Sequence, residues 1–231
     1  TDGSSTALSL SATIPGSDIN YYRLNLRQRF YQPLSAELVF GFQGEIGYLD
    51  AYGDTEQTPF FQNFYAGGPR SLRGFESNTL GPRSTDAPCY EFNYEEGTCP
   101  NLVDTDGDGV ADEPYYNPYA NNTSRYRDAP IGGNIKIEGS MQLIFKLPFI
   151  EDQRSMRSAF FFDFGNVFSD NCKDYQINCY KPSIEDLRYS YGVGVTWITG
   201  FGPMSFAISQ PTNAGPQERT EEFQFTVGNV F

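Results

Sequence analysis

The chain has 231 residues, 16 basic and 29 acidic side chains, a net charge of −13 and no histidine. That balance argues against nucleic acid as a partner, because phosphate binding needs clustered Lys and Arg. Without imidazole there is no Ser-His nucleophile, no histidine base and no His-ligated zinc.

With 20 Phe, 16 Tyr and 23 Gly, the composition favours strands and turns over helices. The opening Thr1-Asp2-Gly3-Ser4-Ser5 lacks the basic start and apolar run of a secretory signal, so the chain reads as processed or as part of something longer. No stretch offers the roughly 20 apolar residues of a spanning helix.

A two-residue period recurs from end to end. Leu8, Leu10, Ala12 and Ile14 oppose Ser and Thr in a first strand. After a link at 15–20, residues 21–31 set Tyr22, Leu24, Leu26 and Phe30 against Arg23, Asn25, Arg27 and Arg29. A turn at 31–35 with Pro33 leads to 37–49, where Leu38, Phe40, Phe42, Ile46 and Tyr48 alternate with Glu37, Gln43 and Glu45.

A long connection, 50–133, follows. It holds one close cysteine pair, Cys89 and Cys99, and no Lys or Arg between Arg83 and Arg125. Within it Asp104, Asp106, Asp108 and Asp112, with Gly109 at the sixth position, match much of a calcium loop. Tyr115 stands where the bidentate Glu belongs, so calcium there competes with a plain solvated acidic loop.

Residues 135–147 then set Ile135, Ile137, Met141, Leu143, Phe145 and Leu147 against Lys136, Glu138, Ser140, Gln142 and Lys146. In 159–168, Phe160, Phe162, Phe164 and Phe168 share a face opposite Asp163 and Gly165. The second long connection, 169–187, carries Cys172 and Cys179. Close spacing and even number predict two local disulfides; neither pair has the CxxC-like spacing of zinc sites.

Tyr189, Tyr191, Val193, Val195 and Trp197 next oppose Arg188, Ser190, Gly192, Gly194 and Thr196. A tight turn at 199–202 precedes Met204, Phe206 and Ile208 against Ser205, Ala207 and Ser209. Phe223, Phe225, Val227 and Phe231, against Gln224, Thr226 and Gly228, close the series. That makes about eight strands.

Alternation of this kind suits either a soluble sandwich or a membrane barrel. Several segments reach the ~9–11 residues of a tilted membrane crossing, where globular strands cluster near ~5–6. Mid-strand charges such as Arg27 and Glu138 suit a wet lumen. Short turns alternating with long connections fit a barrel with long extracellular loops and a periplasmic C-terminus. The expectation is therefore an all-β, antiparallel transmembrane barrel.

The stretch 64–82 contains Leu72-Arg73-Gly74-Phe75, and Phe161-Phe162-Asp163-Phe164-Gly165 reads FxDxG. Together with the aromatic-ended terminal strand 223–231, they resemble the BamA family of outer-membrane barrel-assembly insertases, from about Leu8 to the end. Related two-partner secretion transporters show RGY in place of RGF.

The resemblance implies the last eight strands of a sixteen-stranded barrel, with 50–133 as the loop that folds back into the lumen. The other barrel half and the periplasmic POTRA domains would lie outside this chain. Arg73 would meet Asp163 across the lumen, a planar fork on a carboxylate. Gly74 would permit the tight tip, Phe75 would pack against wall or loop, and Phe161 and Gly165 would frame the wall. The family usually has a second acidic partner where this chain has Gln142, which predicts one carboxylate plus one amide around Arg73. Exchanging the two charges is expected to restore part of the function lost on removing Arg73.

The implied function is insertion of other barrel proteins into the bacterial outer membrane, without catalysis or a required cofactor. Its implied partners are unfolded outer-membrane proteins, outer-membrane lipid and, through the POTRA domains, accessory lipoproteins. The terminal strand, 222–231, would be one lip of a lateral seam weakened by Gly228, and Phe231 would serve the protein's own assembly. A TamA-like or two-partner secretion translocase shares the barrel and loop. A passive porin or adhesin would not need the Arg73–Asp163 contact, and a hydrolase would need a base, where the chain has no His and no Ser in a recognisable nucleophile setting.

Overall fold

The computed structural model describes residues 2–14, 16–55, 57–84, 102–103, 113–114, 129–147, 155–172, 179–200, 202–215 and 217–228. The chain separates into two units: Thr1–Arg83 with Pro130–Phe231, and Ser84–Ala129. Strands β1 (Gly3–Ala12), β2 (Tyr21–Pro33) and β3 (Leu38–Ala51) precede the long connection. Within it lie β4 (Gly74–Phe75), β5 (Leu102–Val103) and β6 (Glu113–Pro114). Then follow β7 (Ile135–Phe145), β8 (Met156–Phe168), β9 (Arg188–Thr199), β10 (Gly202–Thr212), β11 (Thr220–Glu221) and β12 (Phe223–Val227).

Eight strands form one antiparallel sheet, in the order β1-β2-β3-β7-β8-β9-β10-β12. Each of these eight strands pairs with the next of them in chain order, as in a meander. Among the described residues no ladder joins β1 to β12, so the sheet is open. Strands β1 to β3 and β7 to β10 run 10 to 14 residues.

The register sorts side chains by chemistry. Leu26, Ile46 and Ile137 are successive cross-strand partners on one face. Arg27, Glu45 and Glu138 are partners on the other, as are Ser140, Asp163 and Ser190. Burial runs opposite to that of a soluble protein. Leu8, Leu10, Ile46, Phe160, Trp197 and Ile208 on the one face are exposed, while Asp163, Ser190, Ser209 and Gln224 on the other are buried. A sandwich would hide the apolar face in its core; a membrane barrel turns it to lipid and keeps the polar face inside. The open alternative is thereby decided for the barrel wall.

One expectation is corrected. Phe168 leaves the exposed row of Phe160 and Phe162 and is buried at 1 % exposure, where Gly133 closes on the backbone at the end of β8. Of the terminal strand 222–231, the described ladder covers Phe223–Val227, and Glu222 stands between β11 and β12 outside it. Residues 229–231, Phe231 among them, lie outside the described residues.

A small apolar core sits on the polar face. Leu49 of β3 and Val167 of β8 pack with Phe64, Ala66, Leu72, Phe75 and Leu80 from the connection, and Tyr21 flanks them. Bridges Phe64–Gly133, Ala66–Leu80 and Arg83–Pro130 fold the connection back on itself. In the second unit Ser84 and Ala129 are hydrogen-bonded through their backbones, and β5 pairs with β6. Cys89, Cys99 and the acidic run Asp104, Asp106, Asp108 and Asp112 lie outside the described residues. Cys172 and Cys179 form a disulfide across a sequence separation of 7.

Candidate functional site

The site is built where the tip of the long connection meets the polar face of the sheet. A turn forms first: Ser71 N–H donates to Gly68 O at 3.0 Å, and Gly68 N–H to Leu72 O at 3.1 Å. Gly74 follows at φ +88°, a conformation that side-chain-bearing residues avoid. A Cβ there would also stand 3.1 Å from Ser209 Oγ and 3.3 Å from Ser190 Cβ. The tip therefore lies flat on β9 and β10.

Arg73 leaves the tip as a fork. Its Nε donates to Asp163 Oδ2 and its Nη2 to Asp163 Oδ1, both at 2.7 Å. The Arg73 backbone N–H adds a third bond to Oδ2 at 3.2 Å, and Nη2 also donates to Ser140 Oγ at 3.1 Å. The guanidinium carbon lies 3.5 Å from the centre of the Phe161 ring, within cation–π range. Asp163 is fully buried, so its charge depends on these donors.

Glycines provide the space. A Cβ at Gly192 would come 2.8 Å from the Phe161 ring, and one at Gly194 would come 3.7 Å from Arg73 Nη1. Gly165 lies where β7 approaches closely, since a Cβ there would stand 2.5 Å from Ile137 O. Leu72 and Phe75, on either side of Arg73-Gly74, are buried in the apolar core at 1 % and 0 % exposure.

Gln142 does not reach Arg73. Its amide donates to Ser140 Oγ at 3.2 Å, so the serine stands between amide and guanidinium. The expected carboxylate-plus-amide grip is in fact carboxylate, hydroxyl and ring. The carboxylate on β7 is Glu138 instead, and it takes another loop residue. Ser71 Oγ donates to Glu138 Oε1 and accepts from Gly67 N–H. Lys136 Nζ, 2.9 Å from Glu138 and 3.7 Å from Glu45, joins this anchor to the Arg27–Glu45 pair.

The tip also meets the end of the chain, which nothing in the sequence announces. Strand β4 pairs with β11, Phe75 opposite Thr220 and Gly74 opposite Glu221. Gln224 of β12, buried at 2 % exposure, presents its amide to the same two residues. Its Oε1 accepts from Gly74 N–H at 3.3 Å, and its Nε2 donates to Phe75 O at 2.7 Å. Glu76 N–H donates to Arg219 O at 2.9 Å.

A second buried ion pair lies nearby on the polar face. Arg188 Nε meets Glu218 Oε2 at 2.6 Å, and Gly215 N–H donates to the same oxygen at 2.7 Å. Burial and the Glu218 carboxylate push the Tyr180 phenol up from its ordinary value. Arg23 stacks on Phe64 at 4.2 Å, a further contact at the base of the connection.

On β12, Phe223, Phe225 and Val227 face outward and are exposed, and the Phe225 ring lies 4.8 Å from that of Phe206. Gly228, at φ +113°, donates to Pro203 O at 3.0 Å, and nothing lies within 4 Å of where its Cβ would be. Among the described residues β12 pairs on one edge only, with β10.

Residues 1–231 match the Omp85 superfamily domain. The outer membrane protein assembly factor BamA of Neisseria meningitidis is 30% identical over 247 residues, covering 100% of this chain and 26% of that protein. The mouse sorting and assembly machinery component 50 homolog is 24% identical over 189 residues, covering 80% of this chain and 31% of that protein. The crystal structure of BamA from Haemophilus ducreyi lacking POTRA domains 1-3 superposes with a TM-score of 0.70 at 28% identity, covering 98% of this chain and 38% of that one. The chain thus spans about a quarter to a third of the curated relatives it matches.

Proposed function

Because the chain belongs to the Omp85 superfamily and shares the barrel region of its outer-membrane assembly factors, we propose that it serves as the C-terminal half of the barrel of a bacterial barrel-assembly insertase. Eight further strands complete the cylinder from outside this chain, and periplasmic POTRA domains recruit accessory lipoproteins. The long connections face the exterior, and the last strand descends toward the periplasm.

The work is done by strand pairing and needs no chemistry. An incoming, unfolded outer-membrane protein pairs its strand with an exposed edge, so that main-chain hydrogen bonds supply the affinity. In lipid an unpaired edge is costly, which drives such an exchange toward completion. Strand β12, with five ladder residues, supplies that edge on this chain. The observation that carries the reading is the seating of Arg73 on Asp163 by two 2.7 Å bonds inside the polar face. A passive pore does not require an ion-paired loop tip attached to its last strand.

The test is Arg73→Ala in the full-length protein, as the sole copy in its bacterium, with folded outer-membrane porin measured by heat-modifiable gel mobility. Folded porin is expected to fall while the variant itself remains membrane-inserted. A wild-type rate of porin folding overturns the reading.

A further inference from the structure

The loop tip crosses more of the sheet than the Arg73–Asp163 contact requires. From Asp163 on β8 it passes over Ser190 of β9 and Ser209 of β10 to Gln224 on β12. At the far side it makes three kinds of backbone attachment to the chain's end: the β4–β11 ladder, the Glu76–Arg219 bond and the two Gln224 amide bonds. None belongs to the ladder that holds β12 in the sheet, which runs from Met204–Val227 to Ile208–Phe223.

We propose that the loop tip is a strap that fastens the terminal strand to β8 across the inner wall, with Gln224 as the positioning residue that closes it. The physical need is plain. Among the described residues β12 is held to β10 by five ladder residues on one edge, and a strand so held frays first. A primary amide is the side chain that fits this position. It accepts from one backbone N–H and donates to the next carbonyl, completing two bonds that Glu, Leu or Ser could not complete together. Because Arg73 fixes one end of the tip and Gln224 the other, losing either grip loosens the same strand. On the proposed assembly reading, the strap keeps β12 registered on β10 while its other edge exchanges partners. The physical coupling itself stands independently of that reading.

The test is hydrogen exchange with mass spectrometry on the full-length protein in lipid nanodiscs. It compares wild type, Gln224→Leu, Arg73→Ala and the double variant. Losing two buried hydrogen bonds predicts exchange across Phe223–Val227 faster by about 5- to 30-fold in Gln224→Leu, with β2 and β3 unchanged. Arg73→Ala, whose side chain does not touch β12, is expected to accelerate the same peptide. The double variant should be no faster than the quicker single one, because one strap is cut twice. Gln224→Glu, which keeps the acceptor but not the donor to Phe75 O, should fall between wild type and Leu. If Arg73→Ala leaves β12 exchange unchanged, or the two effects multiply, the strap does not exist. If the exchange pattern holds but porin assembly is normal in Arg73→Ala, the strap stands and the assembly reading falls.

Discussion

Arg73→Ala should unseat the loop tip, and its cost follows from the geometry. Asp163 has no exposed surface, and its donors are the Arg73 Nε, Nη2 and backbone N–H. Truncation leaves a buried carboxylate with one 3.2 Å backbone bond. Removing one member of a buried pair costs about 3–5 kcal/mol. At 1.4 kcal/mol per factor of ten, the open population of the tip should rise by roughly two to three and a half orders of magnitude. Exchange of the amides across 66–75 in the full-length protein reads this population directly.

Arg73→Lys keeps the charge but loses the fork and the stacking on Phe161, so it should fall between wild type and Ala. Removing both partners, Arg73→Ala with Asp163→Ala, should be milder than Arg73→Ala alone, because no uncompensated charge remains. The reversed pair is expected to restore little, against the simple charge argument. An arginine at 163 would need room that a fully buried aspartate does not leave, and the Phe161 ring would lose its cation. Tip exchange unaltered by Arg73→Ala, or a double variant as damaged as the sum of its parts, would refute this account.

Gly74→Ala should cost about 1–2 kcal/mol from backbone strain alone, with the Ser209 contact adding to it. It should raise tip exchange while the Arg73 side chain stays intact, and an unchanged rate contradicts the seating described. Arg188→Met strands Glu218 in a buried setting, so the connection after β10 should open to proteolysis near 213–219 with the Arg73 contact undisturbed. Protection of that segment in the variant would show the pair to be unimportant. Reduction of Cys172–Cys179 removes a cross-link over a short loop worth somewhat under ~3 kcal/mol. Its effect should stay within 169–187, and a change in tip exchange on reduction would reveal a coupling that the geometry does not show.

The strands were legible because a lipid-facing wall imposes the two-residue period along its whole length, and Leu26, Ile46 and Ile137 have no other explanation. Parity also places Asp163 inward, while its pairing with Arg73 was legible only through the family resemblance. The period failed at Phe168, a position that faces outward by count and is buried where Gly133 closes on the end of β8. Gln142 is expected beside Arg73 only from the position of the family's second acidic partner; Ser140, directly across from Asp163, takes the guanidinium instead. Gln224 was invisible for a different reason. One amide on a polar strand face is ordinary, and the two-residue β4–β11 ladder that gives it meaning is pure backbone with no side-chain signature.

These contacts explain why four consecutive residues are needed together in Leu72-Arg73-Gly74-Phe75. In a wet lumen an arginine–carboxylate pair is screened and contributes little. Leu72 and Phe75 remove that screening: both are buried in the apolar core that Leu49, Phe64, Leu80 and Val167 build on the polar wall. Each contributes about 1.5–3 kcal/mol by its own burial, and together they dry the flanks of the ion pair. Drying is dangerous unless the charges are fully met, since a buried carboxylate without donors is costly. The fork, the Arg73 backbone N–H and the Phe161 ring meet that demand, and they can do so only because Gly74 turns the chain at φ +88° before a Cβ would strike Ser209. Apolar burial without the arginine would leave Asp163 stranded, and the arginine without apolar burial would sit in water and hold nothing. The grip on β8 and the reach to β12 are thus properties of one small desolvated unit, and a change to any of its four residues should weaken both.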